Sequence, residues 1–270
     1  MSWARIMAPL AGGTHDAEVL KSAAALAAPF KAEVAAVHAP ADIADLMPWM
    51  GEGFMGGVQI TAMDSLKEAA AEGERAARAA AEGCGYANVR FTSLESPVWA
   101  GLSMEGRLAD VVVFDTEAAR GRGPLAEAFQ QIVADEQRPT IVARPGLKAG
   151  GVAVVAWDGG KEASRAARTA LPLLEKASRV VILAAPGASS RSFDPARLAE
   201  FFAARGVKAE VQLIEGSGDA AQLLLGAARN LSADILVAGA FGHPRLQEYI
   251  FGGTTRTLLN NDGPSLFLSH

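Results

Sequence analysis

The sequence predicts an α/β protein of two doubly wound domains, each a five-stranded parallel sheet flanked by helices. Three observations carry that expectation. Short apolar runs alternate with longer alanine-rich stretches along the chain, and parallel neighbours require such crossover connections. The same order of elements occurs twice. A chain of 270 residues is long for one domain and comfortable for two, each able to bury its own core.

In order, Ala4 to Pro9 predicts a strand, Thr14 to Phe30 a helix and Ala32 to His38 a second strand, which is a βαβ beginning. Val152 to Trp157, Lys161 to Ala177 and Arg179 to Ala185 repeat it. Gly12-Gly13 then corresponds to Gly159-Gly160, an offset of 147 that also matches His38 to Ala185. A repeat at a fixed offset marks an internal duplication. In the first copy, Ser65 to Glu82 predicts a helix, Asn88 to Leu94 a strand, Gly101 to Leu108 and Leu125 to Ala134 helices, and Pro139 to Arg144 a last strand. Pro145 to Gly151 reads as the linker between domains 1–145 and 151–270. The second copy continues with helix Pro195 to Arg205, strand Lys208 to Ile214, helix Ala220 to Asn230, strand Asp234 to Gly239 and a closing strand from Pro264.

Further along, Asp110-Val-Val-Val-Phe-Asp115 matches Asp234-Ile-Leu-Val-Ala-Gly239 at an offset of 124. The difference between 147 and 124 leaves 23 extra residues in the first copy, which fall most simply in Ala41 to Met63. That segment mixes Met, Trp, Phe and Gly. It reads either as a loop covering its own core or as an interaction surface, since adaptable Met-rich patches suit partner contacts.

The chemistry concentrates after the strand ending at Gly239. Gly239, Gly242 and Gly252 stand in a G-x2-G-x9-G spacing, followed by Gly253-Thr254-Thr255. Glycines after a buried strand let the backbone turn tightly and approach a ligand. A helix opening at Gly252 to Thr255 offers free N–H groups, a favourable dipole and two hydroxyls to an anion. No G-x-x-x-x-G-K-[ST] occurs, so the expected phosphate site is built from backbone rather than from a P-loop lysine.

This pattern, with the closing Pro264-Ser-Leu-Phe-Leu-Ser strand, resembles the nucleotide-binding signature of the universal stress protein family. The resemblance runs strongly over 151 to 270 and in degenerate form over 4 to 145. It implies a Rossmann-like fold, stress adaptation as the setting, and ATP, or AMP or ADP, as ligand with Mg²⁺ as an accompanying ion. The family pattern ends G-[ST], whereas Gly253 stands at the hydroxyl position here, with Thr254 and Thr255 next. The family also places an acid after the first strand, close to the nucleoside, which is Asp158 here, and a backbone contact to adenine at the position of Ala185. Asp158 before Gly159-Gly160 also suits helix capping. His243 and Arg245, in the loop before Gly252, are candidates for a phosphate contact. Finally, the family implies that the last strands of the two domains pair edge to edge, mimicking a homodimer. An unpaired edge invites association, so a homodimer of whole chains is a further expectation.

In the first copy the site residues are replaced. Asp115 stands for Gly239, Ala118 for Gly242, and Ala11 for Asp158, while the helix opening falls near Glu127 and Ala128. One nucleotide site, in the second domain, is the resulting expectation.

Composition narrows the alternatives. With 25 Lys and Arg against 30 Asp and Glu, the formal charge is −5, and no basic run stands out. Nucleic acid and anionic membranes are therefore poor partners. A single cysteine, Cys84, excludes an intramolecular disulfide framework and suits a reducing compartment. His15, His38 and His270 show no metal-ligand spacing. No signal peptide is apparent and no stretch reaches the roughly 20 apolar residues of a membrane span, so the expected location is the cytoplasm. Neither a nucleophile nor a general base is identifiable. The leading reading is a ligand-dependent binding module with an unknown protein partner. The alternatives are slow ATP hydrolysis or self-phosphorylation on Thr254 or Thr255, and a scaffold that binds no nucleotide.

Overall fold

The computed structural model describes residues 2–40, 56–95, 98–184, 194–216, 218–240 and 253–270, with the side chains of 56–63 and 66 left aside. The first half runs β1 (Arg5–Leu10), α1 (Asp16–Ala27), β2 (Glu33–His38), α2 (Gly56–Gly83), β3 (Val89–Ser93), α3 (Val98–Gly106), β4 (Val111–Phe114), α4 (Thr116–Ala119), α5 (Ala126–Gln130) and β5 (Thr140–Val142). The second runs β6 (Val152–Trp157), α6 (Lys161–Thr169), α7 (Leu171–Leu174), β7 (Arg179–Ala184), α8 (Pro195–Ala203), β8 (Ala209–Leu213), α9 (Ala220–Asn230), β9 (Ile235–Gly239), α10 (Gly253–Asn260) and β10 (Ser265–Ser269).

All ten strands form one sheet in the order β3-β2-β1-β4-β5-β10-β9-β6-β7-β8. Each half contributes five parallel strands in the same relative order, and the halves meet where β5 and β10 pair antiparallel, Leu266 opposite Val142, Phe267 opposite Ile141 and Leu268 opposite Thr140. The edge pairing expected of the last strands is therefore made inside one chain. β3 and β8 become the outer strands, so the two edges on which the homodimer expectation rested are already used.

Register tests the repeat directly. Ile6 pairs with Val111 and Ala153 with Ile235, which reproduces both offsets read from the sequence. The second strands differ by one residue: Leu10 lies opposite His38, but Trp157 lies opposite Ala184. The structural counterpart of His38 is thus Ala184, and Ala185 falls one residue beyond β7, outside the described residues.

The inner strands are apolar on both faces because helices cover both, while the outer strands β3 and β8 are more exposed. Ile6, Ala8 and Leu10 of β1 join Val111 and Val113 of β4 in one core with Leu20, Leu26, Ala166, Leu173 and Phe202. The alternate residues Met7, Val112 and Phe114 enter the other core with Leu102, Phe129, Leu225 and Leu258. Period-two alternation across a sheet with two covered faces gives this division. Both cores cross the junction between halves, and Trp3 from the start of the chain stacks on Phe267 of β10 at 6.4 Å.

Several boundaries differ from the sequence reading for local reasons. Pro172 opens a new short helix, so the expected helix to Ala177 divides at Ala170, because proline has no N–H to donate to an i−4 carbonyl. α5 is continued by a π-type turn, Gln131–Asp135. The presumed loop 41–63 is helical from Gly56, where the 28-residue α2 begins; its residues 41–55 lie outside the described residues.

Candidate functional site

The two halves of the sheet each have a switch point, β1 beside β4 and β6 beside β9, where connections leave in opposite directions and open a crevice at the carboxyl ends. In the second half, Asp158 follows β6 and Gly239 ends β9, so both stand at that crevice. β9 connects to the parallel neighbour β10 through α10, which must therefore run back along the sheet and start at the carboxyl end of β9. Gly253, Thr254 and Thr255 form its first turn. Gly242, His243, Arg245 and Gly252 lie outside the described residues, as does Ala185.

Asp158 is exposed, and its Oδ1 accepts a hydrogen bond from the Gly160 amide at 2.7 Å. It thus holds the turn that starts α6, the capping-type role anticipated for it, while its carboxylate stays open to solvent. Thr254 is exposed, whereas Thr255 is only 5% exposed and faces the body of the protein. Of the two hydroxyls, Thr254 is the accessible one. Among the described residues, a Cβ added at Gly253 would meet nothing within 4 Å.

Gly239 has a different reason to be glycine. A Cβ there would lie 2.6 Å from the Ala163 amide nitrogen and 2.6 Å from the Glu162 carbonyl carbon, closer than real side-chain contacts. Its lack of a Cβ lets the first turn of α6 press against β9. Sequence reasoning assigned that glycine to ligand approach; the structure assigns it to helix–strand packing. The same turn brings in Lys161 and Glu162, an ion pair at 3.3 Å that the motif search passed over. Arg256, exposed in the first turn of α10, is a second omission: a cation at a helix N-terminus opposes the dipole, which is the signal that could have drawn attention to it.

In the first half the equivalent crevice is filled by the protein itself. Asp115 Oδ1 accepts from the Ala118 amide at 2.7 Å and caps α4, so a side-chain carboxylate takes the helix N-terminus following β4. Buried Asp16 accepts from the amides of Ala11 at 3.1 Å and Gly12 at 2.8 Å. Burial pushes its carboxyl pKa up, against the lowering effect of those amides. Gly12, at φ +74°, meets Gly73 of α2, where an added Cβ would come within 2.6 Å of the Gly73 carbonyl oxygen. His38, 2% exposed, pairs its Nδ1 with Ser93 Oγ at 3.2 Å, and burial holds its pKa below the ordinary value while Asp16 and Glu74 oppose that shift. The sequence signal for Asp16 was weak, because an acid near a helix start is ordinary.

Among the described residues, no group of three or more His, Cys, Asp or Glu could hold a metal ion, and no helix is long and apolar enough to cross a membrane. A cavity of about 300 Å³ lies at the other end of β9, lined by Arg144, Arg229, Asp234 and Ser265 among others, and it contains none of the candidate residues.

A continuous, mostly parallel, doubly wound sheet flanked by helices, with a switch point in each half, defines the class: an α/β protein of Rossmann-like fold. Residues 152–261 match the model of the Universal stress protein family, and that part of the chain is a universal stress protein domain. Among solved structures, a universal stress protein from Archaeoglobus fulgidus DSM 4304 is 15% identical with a TM-score of 0.67, over 98% of this chain and 95% of that one. A functionally unknown protein from Pseudomonas aeruginosa PAO1 is also 15% identical, with a TM-score of 0.56 over 99% and 92%. At these identities the likeness is one of fold. No curated protein matches the chain in sequence.

Proposed function

We propose that the protein is a cytoplasmic stress-response protein whose second half, residues 151–270, binds an adenine nucleotide, while the first half, 1–145, does not. The observation that carries this reading is the asymmetry of the two switch points. Asp158 and Thr254 are exposed and a Cβ at Gly253 would meet no described atom within 4 Å, whereas Asp115, Asp16 and the Gly12–Gly73 contact occupy the strand ends of the other half. In this reading the phosphates of ATP, or of AMP or ADP, meet the first-turn amides and Thr254, with Arg256 adding charge. Gly242, His243, Gly252 and Thr255 belong to the same loop and helix start, and Asp158 and the backbone at Ala185 meet the nucleoside. Mg²⁺ keeps several waters and binds largely through the phosphates, needing one or two carboxylates at most. Asp158 is exposed and suits that demand. Occupancy alters contacts with a protein partner.

Calorimetric titration with ATP and AMP tests the reading through one substitution that separates binding from folding. Thr254→Asp places a negative charge in the first turn of α10, which favours the helix by about 0.3–1 kcal/mol but repels a phosphate. Affinity is expected to fall about tenfold or more while the unliganded melting temperature holds or rises. Absence of binding to the unsubstituted protein at millimolar ATP would overturn the reading.

A further inference from the structure

The first half does contribute to the site helix, at its far end. Arg144, just beyond β5, is 7% exposed and donates from Nη1 to the Pro264 carbonyl at 2.8 Å, and from Nη2 to the carbonyls of Leu258 at 2.9 Å and Asn261 at 2.7 Å. Its own amide donates to Ser265 Oγ at 3.0 Å. Arg120, after α4, donates from Nε to the Leu259 carbonyl at 3.1 Å and pairs with Asp262 at 3.6 Å. Arg229 from α9 donates to the Asp262 carbonyl. The last carbonyls of α10 have no partners inside the helix, and two of them, of Leu258 and Leu259, are met by arginines from the other half, while Arg229 holds the turn just beyond the helix.

The clamp is costly to keep, which argues against chance. Burial, with repulsion from Arg120 and Arg229 against the attraction of Asp262, pushes the Arg144 pKa down to about 10, and its Nε has no hydrogen-bond partner among the described residues.

We infer that Arg144 and Arg120 are positioning residues through which the first half sets the placement of α10, and hence the affinity of the anion site at its first turn. The inference rests on the nucleotide reading above. α10 has eight residues and is about 12 Å long at 1.5 Å per residue, so a rigid displacement at one end reaches the other. The half that binds no nucleotide thereby becomes the part that tunes binding, and anything that shifts the β5–β10 junction acts on the ligand.

The test compares ATP affinity and amide exchange in the unsubstituted protein, Arg144→Gln, Arg144→Lys and the part-exposed Arg120→Gln, with Arg107→Gln, at an exposed ion pair to Glu136, as control. Arg144→Gln and Arg120→Gln are expected to weaken ATP about tenfold, Arg144→Lys to recover part of the loss, and Arg107→Gln to change nothing. The unliganded melting temperature of Arg120→Gln stays within a degree or two of the parent, which a purely structural role would not allow together with lost affinity. Without ligand, amides of 255–258 exchange about tenfold faster in Arg144→Gln while those of β6 and β9 do not change. If the unsubstituted protein binds no ATP, the nucleotide reading fails, and the exchange pattern alone decides whether the clamp positions α10. Unchanged affinity and unchanged exchange in both glutamine variants would overturn the inference.

Discussion

At Gly239 a methyl group would collide with backbone atoms of Glu162 and Ala163, while at Gly253 it would meet no described atom within 4 Å. Two glycines from one motif therefore answer to different forces. Gly239→Ala must push α6 off β9 and is expected to cost about 1–3 kcal/mol, as overpacking does. Gly253→Ala relieves the backbone entropy of a helical glycine and is expected to stabilise by up to about 1 kcal/mol. Urea unfolding of the two variants checks the contrast, and equal effects would mean that the approach of α6 to β9 is not tight. His38 carries the pH dependence that belongs at this scale. Ser93, Asp16 and Glu74 face it, yet burial dominates and its folded pKa lies below the ordinary 6.5. Between those two values the unfolded chain binds more protons than the folded one, so stability rises with pH and is lost as pH falls below 6.5. Unfolding curves from pH 7.5 downward are expected to show that loss in the parent and a shallower one in His38→Asn. An identical profile in the variant would assign the loss to other groups.

At the scale of elements, what distinguishes the halves is where helices touch the strand ends. α2 passes so close to the β1–α1 turn that Gly12 and Gly73 meet backbone to backbone. Gly12 also holds φ +74°, a conformation that a side chain disfavours. Gly12→Ala combines both penalties and is expected to destabilise by about 2–4 kcal/mol, measurable as a lowered urea midpoint. An effect under about 1 kcal/mol would show that α2 can retreat. The result matters for function, because this contact is one of three that fill the first crevice. In the second half Asp158 and Thr254, at the corresponding strand and helix ends, are exposed.

For the whole molecule, the continuous sheet predicts common fate. Both cores run across the β5–β10 junction, and Phe267, fully buried, stacks on Trp3 from the opposite end of the chain. Phe267→Ala is expected to cost about 3–5 kcal/mol. The parent should unfold in one transition, with tryptophan fluorescence and far-ultraviolet circular dichroism coinciding. Two separated transitions would show the halves to be independent. Because β5 and β10 satisfy each other, a homodimer of chains would have to use other surfaces, and the outer strands β3 and β8 are the remaining edges of the sheet.

Much of this was legible in the sequence because it depends on local pattern. Period-two apolar runs, alanine-rich helices and a repeated order of elements determined the α/β class and the strand pairing that the offsets 147 and 124 encode. The G-x2-G-x9-G spacing singled out the half that matches the family model. Tertiary structure decided the rest, since it turns on contacts between residues far apart in the chain. Only packing shows that Gly239 makes room for α6, that Thr254 faces solvent while Thr255 does not, that Asp16 fills the first crevice, and that β7 is offset by one residue so that Ala184 matches His38. Arg144 is the clearest case. In sequence it is an arginine ending a strand near a linker, and its partners, Leu258, Asn261 and Pro264, lie more than a hundred residues away. Their proximity exists only once two parallel half-sheets join antiparallel, because that junction brings the end of β5 beside the start of β10.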